Sequence, residues 1–327
     1  MRAITESAPR TLSATANTLF AQMAAHDWLV IGFHSYISFR MAMAPDSADA
    51  SMGRRTSMVL LLITVFVVGL TRAEILPKNR WRALFYRVGL FVPSALSYFE
   101  LRYVMPALAL PLLDMPLLAI DQALFGVTPS IWLQRFNRMP IVEWFAFFYW
   151  SYFVIIILMW VPPLFLETGR RRIELYAGSL FVGLIGPVGY TLVPGLGPYA
   201  TLTFDAPLAG GMWWGMVWST VSEAGAMMDI FPSLHTALPT YFLLHTFAHR
   251  DHWLWRYVWP VLGFFVVNII IATMFLRWHY GIDIVFGLLL AFASRRIAVW
   301  VGEQEIRRGQ DGDTRQKVWE PLFPWQD

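Results

Sequence analysis

The sequence predicts an all-α protein that crosses a membrane several times, and its composition carries much of that prediction. Of the 327 residues, 57% are hydrophobic and only 14% are charged, and the mean hydropathy is +0.50. Soluble domains average roughly 45–50% apolar and about 25% charged residues. These values exclude a disordered chain, a fibrous protein and a nucleic-acid-binding arm, and they strongly disfavour a soluble enzyme.

Long apolar segments are the second observation behind this fold class. A membrane-spanning helix needs about 20 mostly apolar residues. Five segments satisfy that requirement: Ser57–Leu76, Val142–Leu166, Ile173–Val193, Tyr257–Leu276 and Gly281–Val299. Two weaker candidates are Ala83–Phe99, which Arg87 interrupts, and Phe231–Phe247, which is slightly short.

Two further segments are ambiguous. Tyr103–Ile120 is apolar but contains three prolines and Asp114, so a re-entrant or interfacial segment fits it better than a straight span. Leu19–Met43 carries two histidines, Asp27 and Arg40. It is either an amphipathic interfacial helix or a poor first span.

Charge placement predicts the orientation of the spans. Lysine occurs only at positions 78 and 317, so nearly all positive charge is arginine, and it clusters in short loops at Arg170–Arg172, Arg250, Arg256, Arg295 and Arg296. Short loops rich in arginine are cytoplasmic. The loop Pro194–Ile230 contains neither Lys nor Arg, so we expect it on the outer or lumenal side. Arg54 and Arg55 fit this scheme less well, which leaves the topology before residue 80 open.

The chain is predicted to hold one membrane domain with two flanking parts. Residues 1–56 form an N-terminal segment with an interfacial or first membrane helix, and residues 57–302 form the membrane domain. Residues 303–327 form a polar, solvated cytoplasmic tail. No cleavable signal is predicted, because the first 18 residues are polar and mixed. The absence of cysteine excludes disulfides, thiolate metal sites and cysteine nucleophiles.

The outer loop combines turn residues with tryptophans. It opens with Pro194-Gly195-Leu196-Gly197-Pro198 and later contains Trp213 and Trp214. Glycine and proline mark turns, and tryptophan is enriched at membrane interfaces. Two interpretations are equally supported: an interfacial lid that packs on the bilayer, and a segment that contacts substrate directly.

The first candidate site is Phe231-Pro232-Ser233-Leu234-His235-Thr236, at the start of a predicted span. Proline fits the first turn of a helix, where its missing N–H would be unpaired anyway. The free N–H groups and the positive end of the helix dipole at such a start can bind an anion. Ser233 and His235 lie beside that position in the chain.

The second candidate site is Arg277-Trp278-His279-Tyr280-Gly281-Ile282-Asp283, between the last two spans. If one helix contains His279 and Asp283, which are four residues apart, both lie on the same face. A carboxylate there can accept one ring N–H and leave the other nitrogen free as a nucleophile. Arg277 adds a permanent cation suited to phosphate oxygens.

A structural interpretation competes with the catalytic one. Histidines at a membrane interface are commonly polar residues that reach toward water, and a His–Asp pair can simply stabilise a helix. Ionisable groups within a membrane are costly, however, and they mark functional sites by default. Two such clusters on one predicted face favour catalysis.

The two motifs together resemble the second and third signatures of the type-2 phosphatidic acid phosphatase superfamily. Those signatures are Pro-Ser-x-His and His-x-x-x-Asp, and residues 120–300 carry the resemblance. The forms Phe-Pro-Ser-Leu-His and His-Tyr-x-x-Asp are most similar to the inositol phosphorylceramide synthase branch. The resemblance implies a six-helix catalytic core, preceded here by one or more additional N-terminal helices.

The sequence departs from the superfamily pattern at the positively charged residues of the signature motifs. We find no match to the first signature, a lysine followed after six residues by Arg-Pro, and Ala272 and Thr273 replace the usual serine–arginine pair. Arg277 is therefore our first candidate for binding the substrate phosphate, together with Ser233. Arg138 and Arg135 are weaker candidates, for which a surface role facing lipid headgroups is favoured.

The resemblance implies transfer of a phosphate-containing headgroup through a phosphohistidine on His279, with Asp283 orienting it and His235 as general acid and base. The acceptor is an alcohol such as inositol or a sugar. Water as acceptor would instead make the protein a phosphatase of phosphatidic acid or polyprenyl phosphate. A catalytically inactive partner subunit and a lipid transporter are the non-enzymatic alternatives. The reaction implied needs no cofactor, no metal and no nucleic acid, and we expect it on the outer face of a bacterial inner membrane.

Overall fold

The computed structural model describes residues 19–77, 79–310, 318–319 and 322. Helices dominate these residues, and no strand occurs among them. This confirms the predicted all-α, polytopic helical bundle. The first 18 residues, for which no cleavable signal was predicted, lie outside the described ranges.

The helices follow one another with short connections. In chain order they are α1 (Ala25–Ala42), α2 (Ala48–Arg72), α3 (Arg80–Ala107), α4 (Asp114–Phe125), α5 (Pro129–Leu133), a 3-10 turn (Gln134–Phe136), α6 (Met139–Leu166), α7 (Gly169–Leu192), α8 (Pro198–Thr201), α9 (Met212–Ala224), α10 (Leu234–Ala248), α11 (Trp255–Phe275) and α12 (Gly281–Gln310).

Five helices of the described chain are long and apolar enough to cross a membrane: α2, α6, α7, α11 and α12. They coincide with the five strong spans that the sequence predicts, so the protein is an integral membrane protein. The helix α3 fails the apolarity requirement despite its 28 residues, and α10, with 15 residues, is too short. Both were the weaker candidates of the sequence.

The broken segment lies later in the chain than predicted. The helix α3 runs through Pro106 to Ala107, and the chain breaks only at residues 108–113. The bend of 66° then separates α4 from the segment Pro129–Phe136, which together form one broken span or a re-entrant loop. Pro116 is tolerated in the first turn of α4, where its missing N–H breaks no helical hydrogen bond.

The C-terminal tail is not wholly solvated as predicted. The helix α12 extends past residue 303 to Gln310, and Val318, Trp319 and Leu322 are buried. The Arg87 guanidinium donates through Nε to the Val318 carbonyl at 3.1 Å and lies 5.7 Å from the Trp319 ring centre. The charge that interrupts the apolar pattern of α3 is thus buried against the tail. The rest of the predicted tail, residues 311–317 included, lies outside the described residues.

A buried ion pair joins the N-terminal helices. Arg72, at the end of α2, donates through Nε to Asp27 Oδ2 at 2.8 Å, and both side chains are fully buried. The hydroxyl of Tyr86 on α3 donates to Asp27 Oδ1. The same carboxylate accepts the backbone N–H of Ala24 at 2.7 Å and so caps α1. Asp27 therefore fixes α1 to the two helices that follow it.

The helices α7, α10 and α12 form the centre of the bundle and bring the two sequence motifs together. Tyr241 on α10 lies against Gly178 on α7, where a side chain would collide with the ring. A Cβ on Gly287 of α12 would lie 2.7 Å from the carbonyl oxygen of Ser233. Glycine at position 287 therefore allows the start of α10 to approach the first turns of α12.

We expect Asp27→Ala to destabilise the protein strongly. Removing one partner of a buried ion pair leaves the other charge uncompensated, at a cost of about 3–5 kcal/mol. The measurement is the thermal unfolding midpoint in detergent, with Asp49→Ala as the control, because Asp49 is an exposed acid in the first turn of α2. Equal midpoints for the two variants would contradict the assignment. Replacing both partners, as Asp27→Leu with Arg72→Met, should recover part of the loss.

Candidate active site

The site forms where α10 and α12 begin and where α7 and α11 end. The backbone N–H of Ser233, the residue before α10, donates to the carbonyl of Asp283 in the first turn of α12 at 3.1 Å. This hydrogen bond joins the two motifs, which are separated by about 45 residues of sequence. His235 and His279 consequently line one cavity.

His279 and Asp283 form the pair that the sequence predicts, although His279 lies just before α12 rather than within it. The His279 Nδ1 atom lies 3.3 Å from Asp283 Oδ2, and both side chains are buried. The same Oδ2 accepts the backbone N–H of Tyr280 at 2.9 Å. Because the carboxylate partners Nδ1, we assign the ring proton to that atom, which leaves Nε2 with a free lone pair.

His235 is held between two aromatic rings. Its ring centre lies 4.1 Å from that of Tyr149 and 4.0 Å from that of Tyr152, and both contacts are stacked. Its Nε2 atom is buried and has no hydrogen-bond partner among the described residues. The ring centres of His235 and His279 are 6.5 Å apart. The tyrosines therefore fix the imidazole near His279 while Nε2 remains available for proton transfer.

The cavity between the histidines is small and aromatic. Its volume is about 40 Å³. A water needs roughly 10–15 Å³ by this measure, so the space suits a compact polar group rather than a whole lipid. The described residues that line it include neither Lys nor Arg, and five of them are tyrosines: Tyr98, Tyr149, Tyr152, Tyr190 and Tyr199.

Asp229 is the carboxylate that lines this cavity. The Tyr98 hydroxyl donates to its Oδ2 at 2.8 Å. Burial raises the pKa of Asp229 above its ordinary value, and the hydrogen bond from Tyr98 offsets part of that rise. Sequence reasoning did not single out Asp229, because an isolated acid in a loop carries no pattern.

Two aspartates of α4 hold the backbone around His279. Asp121 accepts the N–H groups of Gly281 and Ile282, at 2.9 Å each, and so caps α12. Asp114 accepts the N–H of Gly197 at 2.8 Å and the hydroxyl of Tyr280 at 3.2 Å. The bent segment is thereby a support for the site. The sequence carries a signal for it, since acids inside an apolar stretch need partners.

The structure places the side chains of Ser233 and Arg277 outside the lining of this cavity. The Ser233 side chain is the cap of α10 and accepts the N–H of Thr236 at 3.3 Å. The Arg277 guanidinium lies 3.8 Å from the Phe204 ring centre and donates to the Ala206 carbonyl at 2.9 Å. Burial lowers the pKa of Arg277, and Asp205 counteracts that shift. Neither residue lines the cavity, so both hold the loop structure around it.

Arg135 and Arg138 are exposed on the connection between α5 and α6. Arg135 donates to the Trp132 carbonyl at 2.9 Å and stacks over that indole ring. The structure does not bring either arginine into the lining of the cavity. Both arginines lie at the protein surface.

The outer loop packs against the site, and some of its residues line the cavity. Glu143 on α6 accepts the backbone N–H groups of Gly211, Trp213 and Trp214 at 2.8–3.0 Å and so caps α9. The Trp214 ring packs 5.9 Å from that of Trp278. Leu196, Tyr199, Val221 and Met227 of the same loop line the cavity.

A second cluster of ionisable groups lies at the other end of α10. Ligand atoms of Glu174, His245 and His249 lie within 4.8 Å of one another, a grouping that sequence reasoning missed. The Glu174 carboxylate also accepts Arg170 at 2.6 Å and Arg295 at 2.5 Å. Because both carboxylate oxygens already bind cationic groups, the cluster is an ion-pair network.

Comparison with known proteins identifies the family of the membrane domain. The family model described as the PAP2 superfamily matches residues 115–297. This range covers more than half of the chain and contains His235, His279 and Asp283. No curated protein and no solved structure matches the chain.

We expect Asp121→Ala to loosen the start of α12. Its carboxylate is the partner of two backbone N–H groups, and hydrogen bonds to charged groups are worth about 1.5–3 kcal/mol. Amide hydrogen exchange at Gly281 and Ile282 should accelerate at least about tenfold. Glu223→Ala, an exposed acid on α9, is the control. Unchanged exchange in Asp121→Ala would contradict the capping role.

Proposed function

Because the chain belongs to the PAP2 superfamily, we propose that it is a lipid phosphotransferase acting through a phosphohistidine. It moves a phosphate-containing headgroup from a phospholipid to an alcohol acceptor such as inositol or a sugar. The observation that carries this proposal is the His279–Asp283 pair with His235 across a small cavity. The superfamily itself supports a lipid phosphate activity of the phosphatase or phosphotransferase type.

In the first step, His279 Nε2 attacks the phosphorus of the donor lipid. Asp283 holds the Nδ1 proton and stabilises the positive charge that develops on the ring. As the P–N bond forms, the bond from phosphorus to the lipid oxygen breaks, and His235 gives a proton to the departing alkoxide. The ring centres of the two imidazoles are 6.5 Å apart and both rings line one cavity, which supports their action on the same phosphoryl group.

In the second step, the oxygen of the acceptor attacks the same phosphorus. His235, now neutral, accepts the hydroxyl proton as the P–O bond forms and the P–N bond breaks. The cycle thus returns both histidines to their starting protonation states. General acid–base assistance of this kind contributes roughly 10²–10⁴-fold to the rate.

Dipoles in the cavity wall supply most of the charge stabilisation at the phosphate. The first turn of α10 contributes the positive end of its helix dipole, and the lining tyrosines contribute hydroxyl donors. For Arg277 we propose a longer-range contribution, since it is two residues from His279 and its side chain is held by the loop. Arg135 and Arg138 meet lipid headgroups at the surface.

The proposed transferase and the alternative phosphatase differ in the acceptor, which is an alcohol for the transferase and water for the phosphatase. The similarity to the inositol phosphorylceramide synthase branch, through Leu234 and the His279-Tyr280 pair, supports an alcohol. A cavity of about 40 Å³ also admits water, and this observation favours a phosphatase acting on phosphatidic acid or polyprenyl phosphate. An inactive subunit or a transporter has less support, because His235, His279 and Asp283 share one site.

We propose that the site faces the periplasmic or lumenal side of the membrane, in a bacterial inner membrane. The arginines of residues 170–172 lie in the first turn of α7, whereas the cavity lies where α7 ends. These features therefore lie at opposite ends of the bundle. Short arginine-rich loops are retained in the cytoplasm, which supports a cytoplasmic C-terminus as well.

We expect His279→Ala to abolish turnover of the donor lipid, because the variant has no nucleophile. His235→Ala should lower the rate about 10²–10⁴-fold, as expected when general acid–base catalysis is lost. Detergent-purified protein is given a labelled phospholipid, and product formation is followed with and without inositol. His252→Ala, in the loop after α10, is the control. Activity retained in His279→Ala would exclude this residue as the nucleophile, and phosphate release independent of acceptor would exclude the transferase.

Treatment with EDTA should leave the rate within about twofold of the untreated protein, because histidine, tyrosine and helix-terminal N–H groups perform each step proposed. The same labelled-lipid assay is run after chelation and again after adding Mg²⁺ or Zn²⁺. Loss of activity on chelation, followed by recovery with one of these ions, would contradict a metal-independent reaction.

A further inference from the structure

The lining of the cavity contains a carboxylate that has no role in the two reaction steps. Asp229, with Tyr98 as its hydrogen-bond partner, lies in the same lining as His235 and His279. Asp229 is the acidic residue of that lining, and the described lining contains no Lys or Arg to neutralise it. Such a wall repels a second anion and favours a ligand that donates hydrogen bonds.

The carboxylate is held in place rather than free to rotate. Tyr98 on α3 donates to Oδ2 at 2.8 Å. A Cβ on Gly225 would lie only 3.1 Å from that oxygen, so the backbone at the end of α9 closes over the carboxylate. The hydroxyl and the glycine come from different elements, and both restrain the same side chain. A fixed carboxylate in a catalytic cavity is a preorganised binding group.

We propose that Asp229 is the acceptor-binding residue: its carboxylate accepts a hydrogen bond from a hydroxyl of the alcohol, and its charge excludes anionic acceptors. The inference rests on the proposed transferase function and specifies its substrate class as an uncharged polyol. The tyrosine rings of the lining add apolar surface against which the faces of a polyol or sugar can pack.

Asp229 binds the acceptor but does not take its proton. The attacking hydroxyl gives its proton to His235 while its oxygen forms the new P–O bond and the P–N bond to His279 breaks. Asp229 engages a different hydroxyl of the same molecule and so orients it. A polyol offers such a second hydroxyl, whereas water does not, and the residue therefore separates transfer from hydrolysis.

The test compares Asp229→Ala with the wild-type protein in two assays. One follows transfer from a labelled phospholipid to myo-inositol, and the other follows release without any acceptor. We expect the KM for myo-inositol to rise at least about tenfold, as for loss of a hydrogen bond to a charged group. Hydrolysis of the donor is the second readout, and we expect its rate to fall by a smaller factor than the kcat/KM for transfer, because His235, His279 and Asp283 are unchanged. Tyr98→Phe should raise the same KM to a smaller extent.

A second substitution tests the charge separately. In Asp229→Asn we expect the ratio of kcat/KM for inositol monophosphate to that for myo-inositol to increase about tenfold, since like charges no longer oppose each other. Asp205→Asn is the matched control, because Asp205 is an exposed acid of the same loop. For Asp205→Asn, the ratio of kcat/KM for inositol monophosphate to that for myo-inositol should equal the wild-type ratio.

The outcomes separate the two proposals. If the wild-type protein transfers to inositol but Asp229→Ala keeps the wild-type KM, the acceptor role of Asp229 is wrong and the transferase stands. If transfer and hydrolysis fall in parallel while the KM for myo-inositol is unchanged, the acceptor role of Asp229 is also wrong, since that pattern indicates a structural role. If the wild-type protein only hydrolyses the donor, both proposals fail.

Discussion

The carboxyl group of Asp283 and the backbone around it are the constraint on which the site depends. The side chain accepts the N–H of Tyr280 at 2.9 Å and lies 3.3 Å from His279 Nδ1, while its carbonyl accepts the N–H of Ser233. One residue therefore orients the candidate nucleophile and joins α12 to α10. The close approach at Gly287 makes this geometry possible, because a side chain there would collide with the Ser233 carbonyl.

Several acidic side chains of the bundle lie beside a hydrogen-bond donor or a cation of the protein rather than in solvent. Carboxylates at positions 114, 121 and 143 accept backbone N–H groups, and they fasten the outer loop and the start of α12. Asp27 and Glu174 instead pair with arginine, away from the cavity. Unpaired charge in an apolar bundle is expensive, and these five acids lie where an N–H group or a cation satisfies them.

Sequence patterns predicted the parts of the structure that local chemistry determines. Apolar length located the five spans, and the spacing of His279 and Asp283 predicted their contact. Side-chain direction was not predictable in the same way, because Arg277 adopts a positive φ of 69° and its guanidinium meets Phe204 across the loop. The partners of Asp121 and Asp229 lie more than 100 residues away, so a single-sequence pattern can indicate that an acid needs a partner but cannot identify that partner.

Neither Lys nor Arg is among the described residues that line the cavity, so the reaction we propose relies on dipoles to stabilise charge on the phosphate. Hydroxyl and N–H dipoles fixed by a rigid wall interact most strongly with charge that develops at their own positions. His235 lies between Tyr149 and Tyr152 and illustrates this rigidity, since stacked rings hold its Nε2 without hydrogen-bonding it. In the proposed reaction the cavity therefore holds the phosphoryl group in one position. The membrane itself supplies the donor lipid at a high local concentration.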